Sequence, residues 1–152
     1  MAISATEIFR RHPECYDEEL LAYMENDNQP FGFARLTYVR DVQDSKRLNA
    51  SRLPMVIISA SGMCEAGRIL HHLRFKIHNR KNTILVVGYM ARNTLGRRIL
   101  EAGEAYAATG RKGAPPIVKF FNKEYPLKAR VVKIGGFSAH GDRNEMLRFL
   151  KQ

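Results

Sequence analysis

The stretch MVIISASGMCEAGRILHHLRFKIHNRKNTILVVG, residues 55–88, decides the fold class. It begins with an apolar, β-branched run at 55–60 and ends with a second one at 83–88, a composition typical of buried strands. Between these runs, apolar residues recur every three or four positions over 66–78, as expected of a helix with one buried face. A strand, a helix and a strand in this order predict a βαβ unit around a parallel sheet.

The same alternation continues on both sides of this stretch. The sequence predicts helices at 4–12, 17–27, 41–49 and 94–103, a further helix that follows the glycine turn at 135–136 and reaches the last residue, and strands at 34–39, 117–121 and 128–134. The last two strands are expected to be joined by a tight turn near NKEYP, and 107–116 to form a basic, turn-rich connector. The predicted fold is α/β: a Rossmann-like, mostly parallel sheet with helices on both faces, followed by a carboxyl-terminal strand–helix segment.

Charge is unevenly distributed along the chain. Residues 1–50 contain six Lys or Arg and nine Asp or Glu, a net of −3, whereas residues 51–152 contain nineteen and six, a net of +13. Clustered cations favour polyanions, because nucleic-acid phosphates release counterions when they are neutralised. The asymmetry indicates a nucleic-acid contact within 51–152, although a basic surface that serves only solubility is an alternative.

Composition excludes several other classes of protein. The 152 residues are 45% hydrophobic, which suits a globular domain with a buried core. No apolar run approaches the ~20 residues that a membrane span needs, and the opening residues lack the apolar segment of a signal peptide. Cys15 and Cys64 belong to no CxxC pair, so we expect reduced thiols and a cytoplasmic location.

Residues 59–68, SASGMCEAGR, form the first candidate site. A loop of small residues between a strand and a helix can bring a phosphate close to backbone N–H groups and to a helix N-terminus. We expect Ser59, Ser61, Gly62 and Arg68 to contact phosphate there. The loop is neither a Walker A loop nor a GxGxxG loop, and an ordinary βα turn is the alternative.

Residues 135–142, GGFSAHGD, form the second candidate site. Gly135 and Gly136 are expected to let the backbone turn sharply after a strand, placing Ser138 and His140 at the start of the next helix. A histidine there can donate a proton to a leaving alkoxide, and Asp142 could hold the imidazole or cap the helix. A polar surface histidine is the alternative.

The stretch GYMARNTLGRR, residues 88–98, supplies a third basic element. Arg92, Arg97 and Arg98 follow a predicted strand, and there they could contact phosphates or simply be solvated. His71 and His72 lie next to each other on a helix and match no metal-binding pattern, so we interpret both as solvated. No metal site is predicted within the chain.

Four segments in this order resemble the β-CASP region of RNA-processing metallo-β-lactamases. They are MAISATEIFRR, ISASGMCEAGRILHHL, ILVVGYMARNTLGRRIL and GGFSAHGDRNEML, and together they span nearly the whole chain. Members similar to the cleavage-and-polyadenylation endonuclease subunit match the pattern best, and ribonuclease J is a more distant relative. The resemblance implies a β-CASP lobe at 1–121 and, at 122–152, a segment leading back to the metallo-β-lactamase domain, together forming one compact unit.

The resemblance also implies an activity. In this family a metallo-β-lactamase domain binds two zinc ions through an HxHxDH motif, and RNA lies between that domain and the β-CASP domain. His140 matches the histidine assigned as general acid, and the segment from Ser59 to Gly62 matches a loop beside the RNA phosphates. The resemblance therefore implies an endonuclease or 5′ exonuclease that processes or degrades RNA.

The chain departs from this family in one important respect. Its 152 residues contain no HxHxDH. We therefore expect the metallo-β-lactamase domain to lie elsewhere in a longer parent protein, and this chain alone to bind no zinc and to be inactive. Apolar surface left uncovered would favour a homo-oligomer. The alternatives are a stand-alone, non-catalytic RNA- or nucleotide-binding α/β module and, less favoured, a flavodoxin-like domain for a small phosphorylated ligand.

Overall fold

The computed structural model describes residues 2–25, 31–32, 34–136 and 143–151. The chain divides into two units, Met1–Arg47 and Leu48–Gln152. The mixed α/β class predicted from the sequence is confirmed. No helix within the described ranges is both long and apolar enough to cross a membrane.

The first unit contains short helices. Helix α1 covers Ala2–Arg11, a 3-10 turn covers Pro13–Cys15, and α2 covers Glu18–Glu25. Asp17 caps α2, because its carboxylate accepts a 2.8 Å hydrogen bond from the Leu20 N–H. Residues 34–39, predicted as a strand, form a turn followed by irregular backbone. That prediction is wrong, because a loose alternation of side chains supplies no partner for the backbone.

Helix α3, Val42–Ala50, contains the division between the two units. The second unit then contains α4 (Arg68–Lys76), β1 (Thr83–Val86), α5 (Leu95–Ala108), β2 (Ile117–Phe120), β3 (Lys123–Pro126), β4 (Arg130–Lys133) and α6 (Arg143–Leu150). Helix α5 extends five residues past the predicted end at 103, into the segment expected to be a connector.

Two small sheets organise the second unit. Strands β1 and β4 pair in parallel, with Ile84 opposite Val131. Strands β2 and β3 form an antiparallel hairpin whose turn is Phe121–Asn122. The predicted turn near NKEYP is therefore displaced, since most of that motif is strand β3. The parallel pair also shows that β4 joins β1 rather than β2.

The predicted strand at 55–60 is not a strand among the described residues. Val56 is 88% exposed and Ile58 is 92% exposed, so the segment is not buried either. An apolar β-branched composition favours a strand, but a strand forms only where another backbone pairs with it. The described partner of β1 is β4, and 55–60 is left without one.

The core of the second unit lies where α4 and α5 meet the two sheets. Ile77, Ile99, Phe120 and Leu127 are its largest fully buried side chains. Helix α5 approaches β4 closely at Gly103, where an added Cβ would lie 2.4 Å from a methyl carbon of Val131. This packing holds α5 against the parallel pair.

Candidate nucleic-acid interface

The parallel pairing of β1 and β4 brings the first described residues of two predicted segments to one edge of the sheet. The carboxyl ends of both strands lie at the same edge, so the segment 87–94 and the segment that begins at Ile134 start side by side. A 2.8 Å hydrogen bond from the Ile134 N–H to the Val86 carbonyl joins them. Ligand sites of parallel sheets typically lie at this edge.

A cleft lined mainly by arginines, called the arginine cleft below, follows strand β1. Arg92, Asn93, Arg97, Arg98 and Glu101 line this cleft of about 500 Å³. Within the described part of the chain, neither Arg92 nor Arg98 forms an ion pair, and both are exposed. The cleft therefore presents two guanidinium groups to solvent, the chemical group that binds phosphate oxygens in bidentate pairs.

Arg97 differs from its two neighbours in the cleft. Its Nε donates a 2.6 Å hydrogen bond to Glu101 Oε1. This bond to the Glu101 carboxylate raises the pKa of Arg97 further above its usual range. Because Glu101 neutralises part of its charge, Arg97 adds less free positive charge to the cleft than Arg92 or Arg98 does.

The loop predicted to bind phosphate is closed by its own hydrogen bonds. The Ser61 hydroxyl donates to the Ala66 carbonyl at 3.2 Å and accepts from the Ala66 N–H at 3.3 Å. Ser59 is half-buried, and its hydroxyl lies 3.4 Å from the Ala60 carbonyl. Gly62 is exposed, with nothing within 4 Å of an added Cβ. The backbone of Gly62 is thus the most open of these predicted contacts.

Arg68 is the first residue of α4 and is half-buried. The residue before it, Gly67, has φ +83°, and a Cβ there would lie 2.6 Å from the Ala60 carbonyl oxygen. Glycine is the residue that accepts this backbone conformation at low cost. Gly67 was not singled out in the sequence, where it is the second residue of the helix predicted at 66–78; in the structure it is the residue that precedes the first turn of α4.

The same loop is attached to the start of α5. The Met63 carbonyl accepts a 2.9 Å hydrogen bond from the Gly96 N–H, and the Glu65 carboxylate accepts one from the Leu95 N–H. Met63 also receives the Ala91 N–H at its sulfur, 3.3 Å away. The loop and the arginine cleft therefore belong to one hydrogen-bonded assembly, a link that sequence spacing did not reveal.

Helix α5 uses its amino-terminal N–H groups within the protein. Leu95 and Gly96 donate to the loop, Arg97 donates to the Thr94 hydroxyl at 3.3 Å, and Arg98 donates to the Thr94 carbonyl at 3.1 Å. A helix N-terminus binds anions when such groups are free. These four N–H groups are therefore not available to an anion, whereas the Arg92 and Arg98 side chains of the cleft are exposed.

Gly135 and Gly136 follow β4 and are exposed. An added Cβ would meet nothing within 4 Å at either position, and neither has a φ in the left-handed region. The expectation that Gly135 and Gly136 let the backbone turn sharply after the strand stays a prediction. Ser138, His140 and Asp142 lie outside the described residues, so their predicted roles stay predictions.

His72 corrects the interpretation of the paired histidines as solvated. It is only 6% exposed, and a 2.8 Å hydrogen bond joins its Nδ1 to Asn49 Oδ1. Burial, together with the charges of His71, Lys76 and Arg68, lowers the pKa of His72. His71 is exposed, as predicted, and its ring stacks on Phe121 with centroids 5.2 Å apart.

The described residues contain no group of three or more His, Cys, Asp or Glu that could hold a metal ion. Within that part of the chain the side chains do not fit a zinc site, so no catalytic step is assigned to a metal here. Cys64, the buried thiol of the loop, has its pKa raised by burial and by Glu65, which disfavours the thiolate that binds metals.

Comparison with known proteins identifies the family. The model of the Beta-Casp domain matches residues 1–99, about two-thirds of the chain. The chain belongs to the Beta-Casp family. A second model, the Zn-dependent metallo-hydrolase RNA specificity domain, matches residues 124–152, which include the predicted SAHGD motif.

Three relatives of this Beta-Casp chain show the range of the family. Ribonuclease TTHA0252 of Thermus thermophilus is 34% identical over 99% of the chain and 32% of its own length. An RNase J-like protein of Methanocaldococcus jannaschii is 33% identical over 99% of the chain and 31% of its own length. Transcription termination factor FttA of Cenarchaeum symbiosum is 29% identical over 100% of the chain and 23% of its own length. The chain thus spans a third or less of the relatives it matches.

Proposed function

We propose that this chain is the RNA-binding β-CASP portion of a zinc-dependent ribonuclease that processes or degrades RNA in the cytoplasm. The observation that carries the proposal is the shared sheet edge, where the arginine cleft and the segment leading to His140 begin side by side. Two relatives, Ribonuclease TTHA0252 and RNase J-like protein, are named for this activity, which supports the proposal. Two zinc ions and their ligands would belong to a metallo-β-lactamase domain elsewhere in the parent protein.

Within this proposal the residues divide into three roles. Arg92 and Arg98 hold RNA phosphates, since their guanidinium groups are exposed and unpaired among the described residues. His140 donates a proton to the departing 3′ oxygen, a contribution of about 10²–10⁴-fold for general acid catalysis. The remaining proposed phosphate contacts are Ser59, Ser61, Gly62, Arg68, Arg97 and Ser138, and the proposed supporting residues are Gly135, Gly136 and Asp142. We also propose that residues 1–121 are the β-CASP lobe and that residues 122–152 are the segment leading back to the metallo-β-lactamase domain.

RNA binding is tested by titrating the chain into fluorescently labelled single-stranded RNA at several salt concentrations. Each phosphate contact contributes a slope of about −0.7 to log K against log salt for a single strand. Arg92→Ala and Arg98→Ala are each expected to weaken binding and make the slope shallower by about this amount. Arg10→Ala, an exposed cation of the acidic first unit, is the matched control. Absence of wild-type binding even at low salt would overturn the proposal.

Catalysis is tested separately, on the chain and on the full-length parent protein. The chain with added zinc is expected to leave RNA intact, whereas the parent is expected to cleave it and to lose most of that activity in His140→Ala. Substrates with 5′-phosphate and 5′-hydroxyl ends separate exonuclease from endonuclease activity. Zinc-dependent cleavage by the purified chain that disappears in His140→Ala would contradict the proposed division of labour.

A further inference from the structure

The hairpin of β2 and β3 ends in an unusual turn. Phe121 and Asn122 are its two turn residues, with φ of +49° and +62°. Two-residue turns of this kind favour Asn, Asp and Gly, because a bulky side chain is disfavoured at positive φ. Phenylalanine at the first position is therefore a poor choice for the turn alone, which suggests that the ring serves another purpose.

The Phe121 ring belongs to a cluster of flat groups at the protein surface. It stacks on the His71 ring at 5.2 Å and an interplanar angle of 27°, and the Arg74 guanidinium lies 5.9 Å from its centroid. Arg74 also lies 4.8 Å from the Phe75 centroid. Phe121 is nevertheless 54% exposed. The hairpin thus places one aromatic ring against side chains of helix α4, with much of the ring surface facing solvent.

The charges around this cluster favour a polyanion. Residues 68–82 contain five Lys or Arg and no carboxylate. The hairpin carries one carboxylate, Glu124, and its Oε1 lies 3.1 Å from Lys119 Nζ in an ion pair. A nucleobase that stacks on the ring would therefore be followed by phosphates in a positive field, as in proteins that bind single-stranded nucleic acid.

We propose that Phe121, supported by His71 and Arg74, is a stacking site for one base of single-stranded RNA. The site rests on the proposed RNA-binding function and adds a contact to bases, whereas the arginine cleft contacts phosphates. Stacking is tolerant of sequence, since every base has a π-face, so the site adds affinity with little preference among bases.

The test measures the affinity of the chain for two ligands of equal length. One is oligo(U), and the other is the same sugar–phosphate strand without bases. Phe121→Asn removes the ring with a residue that accepts positive φ. It is expected to weaken binding of oligo(U) by roughly 5- to 100-fold and to leave binding of the abasic strand unchanged. Phe121→Tyr should keep the wild-type affinity, and Phe149→Ala, which removes a 77% exposed ring from α6, is the matched control.

A second measurement detects the stacking contact itself. The chain contains no Trp, so Phe121→Trp introduces a single reporter whose emission oligo(U) should quench and the abasic strand should not. Equal loss on both strands, or no quenching, would overturn the proposal. If the wild-type chain binds oligo(U) and Phe121→Asn binds it equally well, the stacking site is refuted while the proposed RNA-binding function stands. If Phe121→Asn then associates more weakly with the parent's zinc-binding domain, the ring is assigned to a protein contact. Absence of any wild-type binding would overturn both proposals.

Discussion

Gly67 and Gly62 lie in the same loop but have different surroundings, so they make a matched pair of substitutions. Gly67 has φ +83°, and an added Cβ would lie 2.6 Å from the Ala60 carbonyl oxygen, whereas at Gly62 a Cβ would meet nothing within 4 Å. Alanine in such a Gly-only conformation costs about 1–3 kcal/mol. The overlap with a backbone oxygen adds about 1–3 kcal/mol, since no rotamer change relieves it. Gly67→Ala is therefore expected to lower the free energy of unfolding by roughly 2–6 kcal/mol.

The assay is urea unfolding followed by circular dichroism at a helix-sensitive wavelength, with wild type, Gly67→Ala and Gly62→Ala in parallel. Gly62→Ala is expected to leave stability unchanged or to raise it by about 0.4–1 kcal/mol, because alanine restricts the unfolded chain. The Ala60 carbonyl also accepts the Ile69 N–H at 3.2 Å, so a displaced carbonyl would disturb the first turn of α4 as well. Gly67→Ala and Gly62→Ala of equal stability would refute the reasoning about this loop.

Three further predictions concern separate features of the second unit. Glu65→Ala should lower the free energy of unfolding by about 0.5–2 kcal/mol, because the Leu95 N–H of α5 loses its acceptor. Urea unfolding measures this change, and an unchanged unfolding midpoint would contradict the role of Glu65 as a cap of α5. The lowered pKa of His72 means that the unfolded chain takes up a proton before the folded chain does, so stability should fall as pH drops below the unfolded value of about 6.5. Melting curves between neutral and mildly acidic pH should show this loss, and the part due to this group should be absent in His72→Gln. Ile58→Lys should reduce self-association in sedimentation equilibrium, because it places a charge in an exposed apolar segment; a wild-type chain that stays monomeric at high concentration would count against that prediction.

The helices were the most predictable part of this fold. The apolar periodicity of 66–78 and 94–103 identified α4 and α5, whose buried faces the structure confirms. The strands were less predictable, since strand formation depends on a partner that local sequence does not name. The run at 55–60 has the composition of a buried strand but no described partner, whereas the less apolar KEYP segment became β3 because it follows a tight turn after β2.

The site was predictable in its residue types but not in its hydrogen bonds. Arg92, Arg97 and Arg98 were expected near phosphate, and the structure brings their side chains into one cleft. Sequence spacing could not show that Glu65 and Met63 reach thirty or more positions along the chain to the start of α5. Such contacts depend on tertiary packing, which residue spacing within one loop does not encode.

The internal use of the α5 amino terminus has a consequence for how this lobe can diversify. A cradle of backbone N–H groups is inherited with the fold and admits one geometry, whereas guanidinium groups on long side chains can follow phosphates along several paths. In this chain the positive side chains that face a ligand are thus separate from the hydrogen bonds that hold the loop and the start of α5 together. Related proteins could change the nucleic-acid strand that they bind by substituting a few exposed side chains, while the hydrogen-bonded loop and helix α5 remain unchanged.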